Sequence, residues 1–228
     1  MWQNLRKKRW QYCCLFFLVL SCHPPKNDKG LLAPSRADSL VSEQKVALAL
    51  DSIYRYQAVV RSGDVVTRTG QDFTSEAMRL LSSKDRTYSH CGIASWEHDS
   101  LFVYHAIGGE CNPDQQLRRD PFVLFCNPYE NRGFGIFRYD LALQECARLI
   151  DVVHGWFLQK IRFDMAFDLA TDDRMYCSEF VYKALTSATN KRIVIATTTL
   201  NHICFIALDN LTLNPHCKQI KRIRYQPL

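Results

Sequence analysis

The 10 cysteines of this 228-residue chain include no C-x-x-C pair, so zinc-ribbon and dithiol-oxidoreductase readings have no foothold. The sequence also lacks internal repeats and low-complexity tracts. Its apolar run Tyr12 to Leu20 is shorter than the roughly 20 residues that cross a bilayer core. His154, His202 and His216 have no acidic or cysteine partner at ligand spacing, so neither a metal nor an organic cofactor is expected. A surplus of positive charge is missing too, once the N-terminal stretch is set aside. Residues 1–21 hold four of the 29 Lys and Arg and none of the 23 Asp and Glu, so the formal +6 falls to +2 for the 207 residues that follow. No nucleic-acid partner is implied.

What is present at the N-terminus reads as targeting. Arg6, Lys7, Lys8 and Arg9 form a positive n-region, and the apolar run follows directly, as in a signal peptide. The run ends Val19-Leu20-Ser21-Cys22, which resembles the bacterial lipobox. That resemblance implies cleavage before Cys22, lipidation of its sulfur and attachment to a membrane of the bacterial cell envelope, facing the periplasm or the outer surface. Pro24, Pro25, Gly30 and Pro34 then mark a tether. The expected organisation is a signal peptide at 1–21, a lipid-anchored tether at 22–38 and one domain at 39–228. Seven cysteines remain in that domain, and an odd number leaves at least one thiol unpaired in an oxidising compartment.

Within the domain, Val46, Ala47, Leu50, Ile53 and Tyr54 share a helical face, and Phe73 to Leu81 reads as a second helix with Ala77, Leu80 and Leu81 inward. Ser89 to Trp96 and Leu101 to Ile107 read as a hairpin around Glu97-His98. Period two puts His90, Gly92 and Ala94 on one face and sends Cys91 to the other. His90 and His105 then lie directly opposite, or diagonal if the turn centre moves by one residue. Gly133 to Tyr139 reads as a strand, followed by an amphipathic helix with a stripe through Leu143, Cys146, Ile150, Val153 and Phe157, capped by Asp140. A further helix starts at Cys177 with Phe180, Val181, Ala184 and Leu185 inward, and the tail adds one or two strands.

A thiol in the first turn of a helix meets unpaired N–H groups and a partial positive charge, both of which favour a thiolate. Cys177 has that place. His90 supplies a base and His105 a partner for its second nitrogen, giving a Cys-His-His arrangement. The residue types alone also allow a plainer reading, with Cys177 a buried apolar residue at a helix start and the histidines merely packed. Asp164 and Asp64 read as structural hydrogen-bonding groups, and Glu179, two residues past Cys177, points away from the thiol.

Four ordered motifs add to this: Gly63-Asp64-Val65-Val66, Tyr88-Ser89-His90-Cys91-Gly92-Ile93, Phe163-Asp164-Met165-Ala166-Phe167 and Tyr176-Cys177-Ser178-Glu179-Phe180-Val181. Together they resemble the permuted branch of the NlpC-type papain-like amidases, the YiiX-like and YaeF-like group, which is distantly similar to lecithin retinol acyltransferase. The resemblance implies an α+β domain with helices packed on an antiparallel sheet that carries His90 and His105. It assigns Cys177 as nucleophile, His90 as base and His105 as third member, acting on a cell-wall peptide or an acyl lipid through a thioester. Cys91 departs from the pattern, which has an aliphatic residue there.

Overall fold

The computed structural model describes residues 36–109 and 111–227. The expected signal peptide and Cys22 lie outside them. The elements run α1 (Arg36–Gln57), β1 (Val65–Gly70), α2 (Phe73–Leu80), β2 (His90–Glu97), β3 (Ser100–His105), β4 (Arg118–Pro121), α3 (Phe122–Phe125), β5 (Asn131–Tyr139), α4 (Leu143–Leu158), α5 (Cys177–Ala188), β6 (Thr198–Leu200), β7 (Ile203–Phe205), α6 (Leu208–Thr212) and β8 (Cys217–Arg224). The first helix starts three residues earlier than the expected domain boundary, since nothing after Pro34 breaks a helix.

The fold is α+β. Six strands pair antiparallel in the order β4-β3-β2-β1-β5-β8, and β6 and β7 form a separate hairpin. Alternation along the strands gives the sheet two apolar faces, each under its own helices. On one, Val65, Cys91, Ile93, Tyr104 and Phe137 pack with Leu149 and Val153 of α4 and Phe180, Val181, Ala184 and Leu185 of α5. On the other, Val66, Ala94, Val103, Phe134 and Ile136 pack with Ala49 and Ile53 of α1 and Phe122 and Phe125 of α3. One edge strand, β8, exposes Lys218, Lys221, Arg222 and Arg224.

Several local expectations are corrected by packing. The stripe on α1 runs through Val46, Ala49 and Ile53, while Tyr54 is exposed. No residue of α2 is buried, and Leu80 faces outward. The first residue of the α4 stripe, Leu143, is exposed as well. Asp140 does not cap α4, because Glu145 reaches back to accept from the Ala142 N–H at 2.9 Å, and Asp140 instead accepts from His216 Nδ1. The tail holds three strands, β6, β7 and β8, rather than the one or two expected. In the β2–β3 hairpin Glu97 faces Ser100, so the turn is His98-Asp99, with His98 at φ 54°. That shift makes His90 and His105 diagonal neighbours.

Two backbone facts position the site. Gly63 takes φ 87°, left-handed backbone that favours glycine, and turns the chain from α1 into β1. Asp64, buried behind it, accepts from the Arg61 N–H at 2.8 Å and from Nε and Nη2 of Arg138 at 2.7 Å each. A forked, hydrogen-bonded pair of this kind is what allows a carboxylate to be buried.

Candidate active site

Cys177 is the first residue of α5, and the start of that helix is tied down from three sides. Glu179 Oε2 accepts from the Tyr176 N–H at 3.1 Å. Ser178 Oγ donates to the Ile206 carbonyl at 2.7 Å, and the Ile206 N–H donates to Tyr176 Oη at 2.8 Å. Glu179 therefore points inward, as expected away from the thiol, but it is fully buried with Oε1 3.0 Å from Lys183 Nζ. Burial pushes its pKa up to about 7 despite the ammonium. Cys177 itself is half-buried and opens to a shallow apolar pocket lined by Leu81, Phe163, Phe167, Tyr176, Ile206 and Leu208.

The Cys177 thiol is more acidic than an ordinary cysteine. A hydrogen bond from the Cys91 thiol lowers its pKa most, burial opposes, and the N–H groups of Cys91 and Ser178 lower it further. Burial raises Cys91, Cys126 and Cys146 instead. None of the seven described cysteines is disulfide-bonded.

Beyond β2, the histidines form a chain. His90 Nε2 lies 2.8 Å from His105 Nδ1, and His105 Nε2 lies 3.0 Å from Asp120 Oδ2. Asp120, on β4, is further held by Arg118 at 2.8 Å. A carboxylate can only accept, so His105 carries its proton on Nε2 and accepts at Nδ1 from His90 Nε2–H. That leaves the lone pair of a neutral His90 on Nδ1. Gly92 makes the arrangement possible, since a Cβ there would lie 2.9 Å from His105 Cβ and 2.5 Å from the Tyr104 carbonyl. Both rings pack on Phe125, and the Arg68 guanidinium lies over the same ring.

Charge is withheld from these imidazoles. Burial first, then Arg68, His105 and Arg118, hold His90 well below the usual histidine range. Burial lowers His105 to about 4, although Asp120 pulls the other way.

The expected meeting of His90 with His105 is therefore present, in its diagonal form. Cys177 packs against the core cluster that contains Cys91, and no hydrogen bond joins it to His90 among the described residues. The reason is strand parity: His90 and Cys91 leave β2 on opposite faces, and α5 packs on the face of Cys91. The lowered pKa of the thiol thus stems from Cys91 and N–H donors rather than from His90. Asp120 was missed by sequence reasoning. Asp164 is structural as expected, accepting from the N–H groups of Ala166 at 2.8 Å and Asp168 at 2.7 Å. His154 lies 3.7 Å from Glu97 and away from this cluster.

No family model matches the chain. It is 22% identical over 135 residues to the uncharacterized protein YiiX of Escherichia coli strain K12, an alignment that takes in 58% of this chain. The chain spans 61% of the length of that curated relative. The crystal structure of metalloprotein yiiX from Escherichia coli O157:H7 superposes with a TM-score of 0.58 at 18% identity, covering 73% of this chain and 98% of that one. The chain is thus similar to YiiX in sequence, and it shares the α+β, papain-like fold of that structure.

Proposed function

We propose that this chain is a cysteine hydrolase that cleaves an amide bond through Cys177, His90, His105 and Asp120. The observation that carries the reading is the Asp120–His105–His90 chain, which fixes both tautomers and leaves the base nitrogen on His90 Nδ1, on a strand against which α5 packs. In this mechanism His90, the first residue of β2 and partly exposed there, turns its Nδ1 around the strand end toward the sulfur and takes the thiol proton as the sulfur attacks the carbonyl. The N–H groups of the first turn of α5 receive the developing oxyanion. His90 returns the proton to the leaving amine, and water then hydrolyses the thioester. Cys22 anchors the enzyme to a bacterial envelope membrane, as the lipobox resemblance suggests; equal recovery of wild type and Cys22→Ser from the aqueous phase in detergent partitioning would remove that part.

Cell-wall stem peptides are the substrate that suits an envelope amidase. The apolar lining beside Cys177 supports a second reading, in which a lipid acyl chain occupies the pocket and an ester is cleaved. "Metalloprotein" is said of yiiX. Here no group of three or more His, Cys, Asp or Glu side chains among the described residues is arranged to hold an ion, and His90 Nε2 and His105 Nδ1 are spent on each other. No step is routed through a metal.

Mass spectrometry of muropeptides and phospholipids incubated with wild type and Cys177→Ala separates the readings. Cleaved stem peptide with wild type alone supports the amidase, and fatty acid release supports the esterase. Absence of Cys177-dependent product from both sets leaves a binding lipoprotein.

A further inference from the structure

Helix α2 buries none of its residues, yet its apolar side chains are in register. Phe73, Ala77 and Leu80 recur at i, i+4 and i+7 and so share one face. Phe73 is 89% exposed and Leu80 60%. An eight-residue helix does not persist in water on propensity alone, and α2 is held by polar contacts instead. Asp72 Oδ1 accepts from the Ser75 N–H at 2.9 Å, Arg79 Nη1 lies 2.7 Å from Glu76 Oε2, and Arg79 Nε donates to the Arg86 carbonyl at 2.6 Å. The core thus makes no use of the stripe. The adjoining face of the same helix supplies Met78 and Leu81 to the wall of the Cys177 pocket. Two more exposed apolar side chains flank that wall: Met165 lies between Phe163 and Phe167, and Ile203 begins β7, which runs into Ile206. Single exposed apolar residues need no partner, whereas a contiguous apolar surface marks an interaction site.

The charges around α2 decide what kind of partner fits. Glu76 is shared by Arg79 at 2.7 Å and Arg132 at 3.7 Å, and Asp85 pairs with Arg222. Asp72 is spent on the N-cap. Lys84, Arg86 and Arg224 are exposed and have no carboxylate partner among the described residues; Arg224 lies opposite Gly133, next to Arg132. An apolar stripe bordered by surplus cations matches the boundary between acyl chains and anionic headgroups. We propose that α2 docks this domain on a bilayer of anionic phospholipid, with Phe73 and Leu80 among the acyl chains and Lys84, Arg86 and Arg224 at the headgroups. Because Met78 and Leu81 belong to the same helix, the pocket beside Cys177 then opens at the membrane surface. The lipid anchor proposed at Cys22 would bring the chain to a bilayer, but docking of α2 requires neither that anchor nor turnover.

The test mixes the full-length chain with vesicles of phosphatidylglycerol or of phosphatidylcholine, each doped with a phospholipid that carries a photoactivatable diazirine in its acyl chain. Labelled peptides are mapped by mass spectrometry after irradiation. The expected result is labelling within α2 on phosphatidylglycerol, falling at least about tenfold on phosphatidylcholine or in about 1 M salt. Phe73→Ser combined with Leu80→Ser should lower it by about tenfold or more. Lys84→Gln and Arg224→Gln should each lower it by about fivefold. All four side chains are exposed, and circular dichroism checks that the variants stay folded. The wild-type map on the two lipids decides the matter even if a variant fails to fold. Labels elsewhere on the chain with α2 unlabelled overturn the proposal. So does equal labelling of α2 on both lipids, or cross-linking of α2 only to a second copy of the chain. Labelled α2 in a protein that hydrolyses nothing would sustain this inference while removing the hydrolase reading.

Discussion

On the α4 and α5 side of β2, a helix start and two N–H groups make room for negative charge on Cys177. On the α1 and α3 side, burial first, then Arg68 and Arg118, suppress positive charge on His90 and His105. Burial disfavours the ion in both regions: it leads at the histidines, whereas at Cys177 hydrogen-bond donors outweigh it. The proposed pair is therefore a neutral base and a mildly acidic thiol. A preformed imidazolium–thiolate pair would need His90 raised rather than lowered.

The strongest test of that contrast removes the base side. His90→Ala is expected to cost roughly 10²- to 10⁴-fold in kcat/KM. Asp120→Asn should approach the same range, because a carboxamide that donates to His105 Nε2 reverses both tautomers and leaves a proton on His90 Nδ1. His105→Gln should retain a larger remnant, since it orients the base without touching the thiol. Full activity in Asp120→Asn would break the relay.

A second test reads stability. The buried imidazole of His105 titrates at about 4 when folded and near 6.5 when unfolded, so its contribution is present above pH 6.5 and is lost as the pH falls from 6.5 through 4. The expected loss is about 3 kcal/mol. Urea titrations at pH 7 and pH 4.5 should show that slope in wild type and a shallower one in His105→Gln; equal slopes would contradict it.

The pH profile sharpens the comparison further. With His90 held well below its usual range, the acid limb of kcat/KM should fall well under pH 6.5. An ordinary imidazole would already lose roughly tenfold at pH 5.5. An acid limb at 6.5 would indicate an unperturbed base.

The smallest effect belongs to the thiol side. Cys91→Val removes the leading stabiliser of the Cys177 thiolate but leaves the N–H donors of residues 91 and 178, so alkylation of Cys177 by iodoacetamide at pH 6 should slow by less than about tenfold. Unchanged labelling would place the low pKa entirely with the backbone.

Much of this arrangement was legible in the sequence, and the failures have physical causes. The start of α5 at Cys177, its inward face and the His90–His105 contact all follow from short-range periodicity. Asp120 did not, because β4 is four residues long and its partner is set by the Val103↔Asp120 register across an irregular connection. The parity of β2 was read correctly, with Cys91 opposite His90, yet its consequence depends on which face α5 covers. The α1 stripe was off at Ala47 and Tyr54 because the helix packs through Ala49 onto the sheet, a tertiary choice that propensity does not encode.

The cationic edge of β8 has a consequence for handling the protein. An unpaired strand edge invites another chain to add to the sheet, and Lys218, Lys221 and Arg224 oppose a second copy of themselves there. That repulsion acts over a Debye length of about 8 Å at physiological ionic strength and about 3 Å at 1 M salt. Concentrated stocks should therefore keep better in dilute buffer than in high salt, and light scattering during a salt titration would register the onset of self-association.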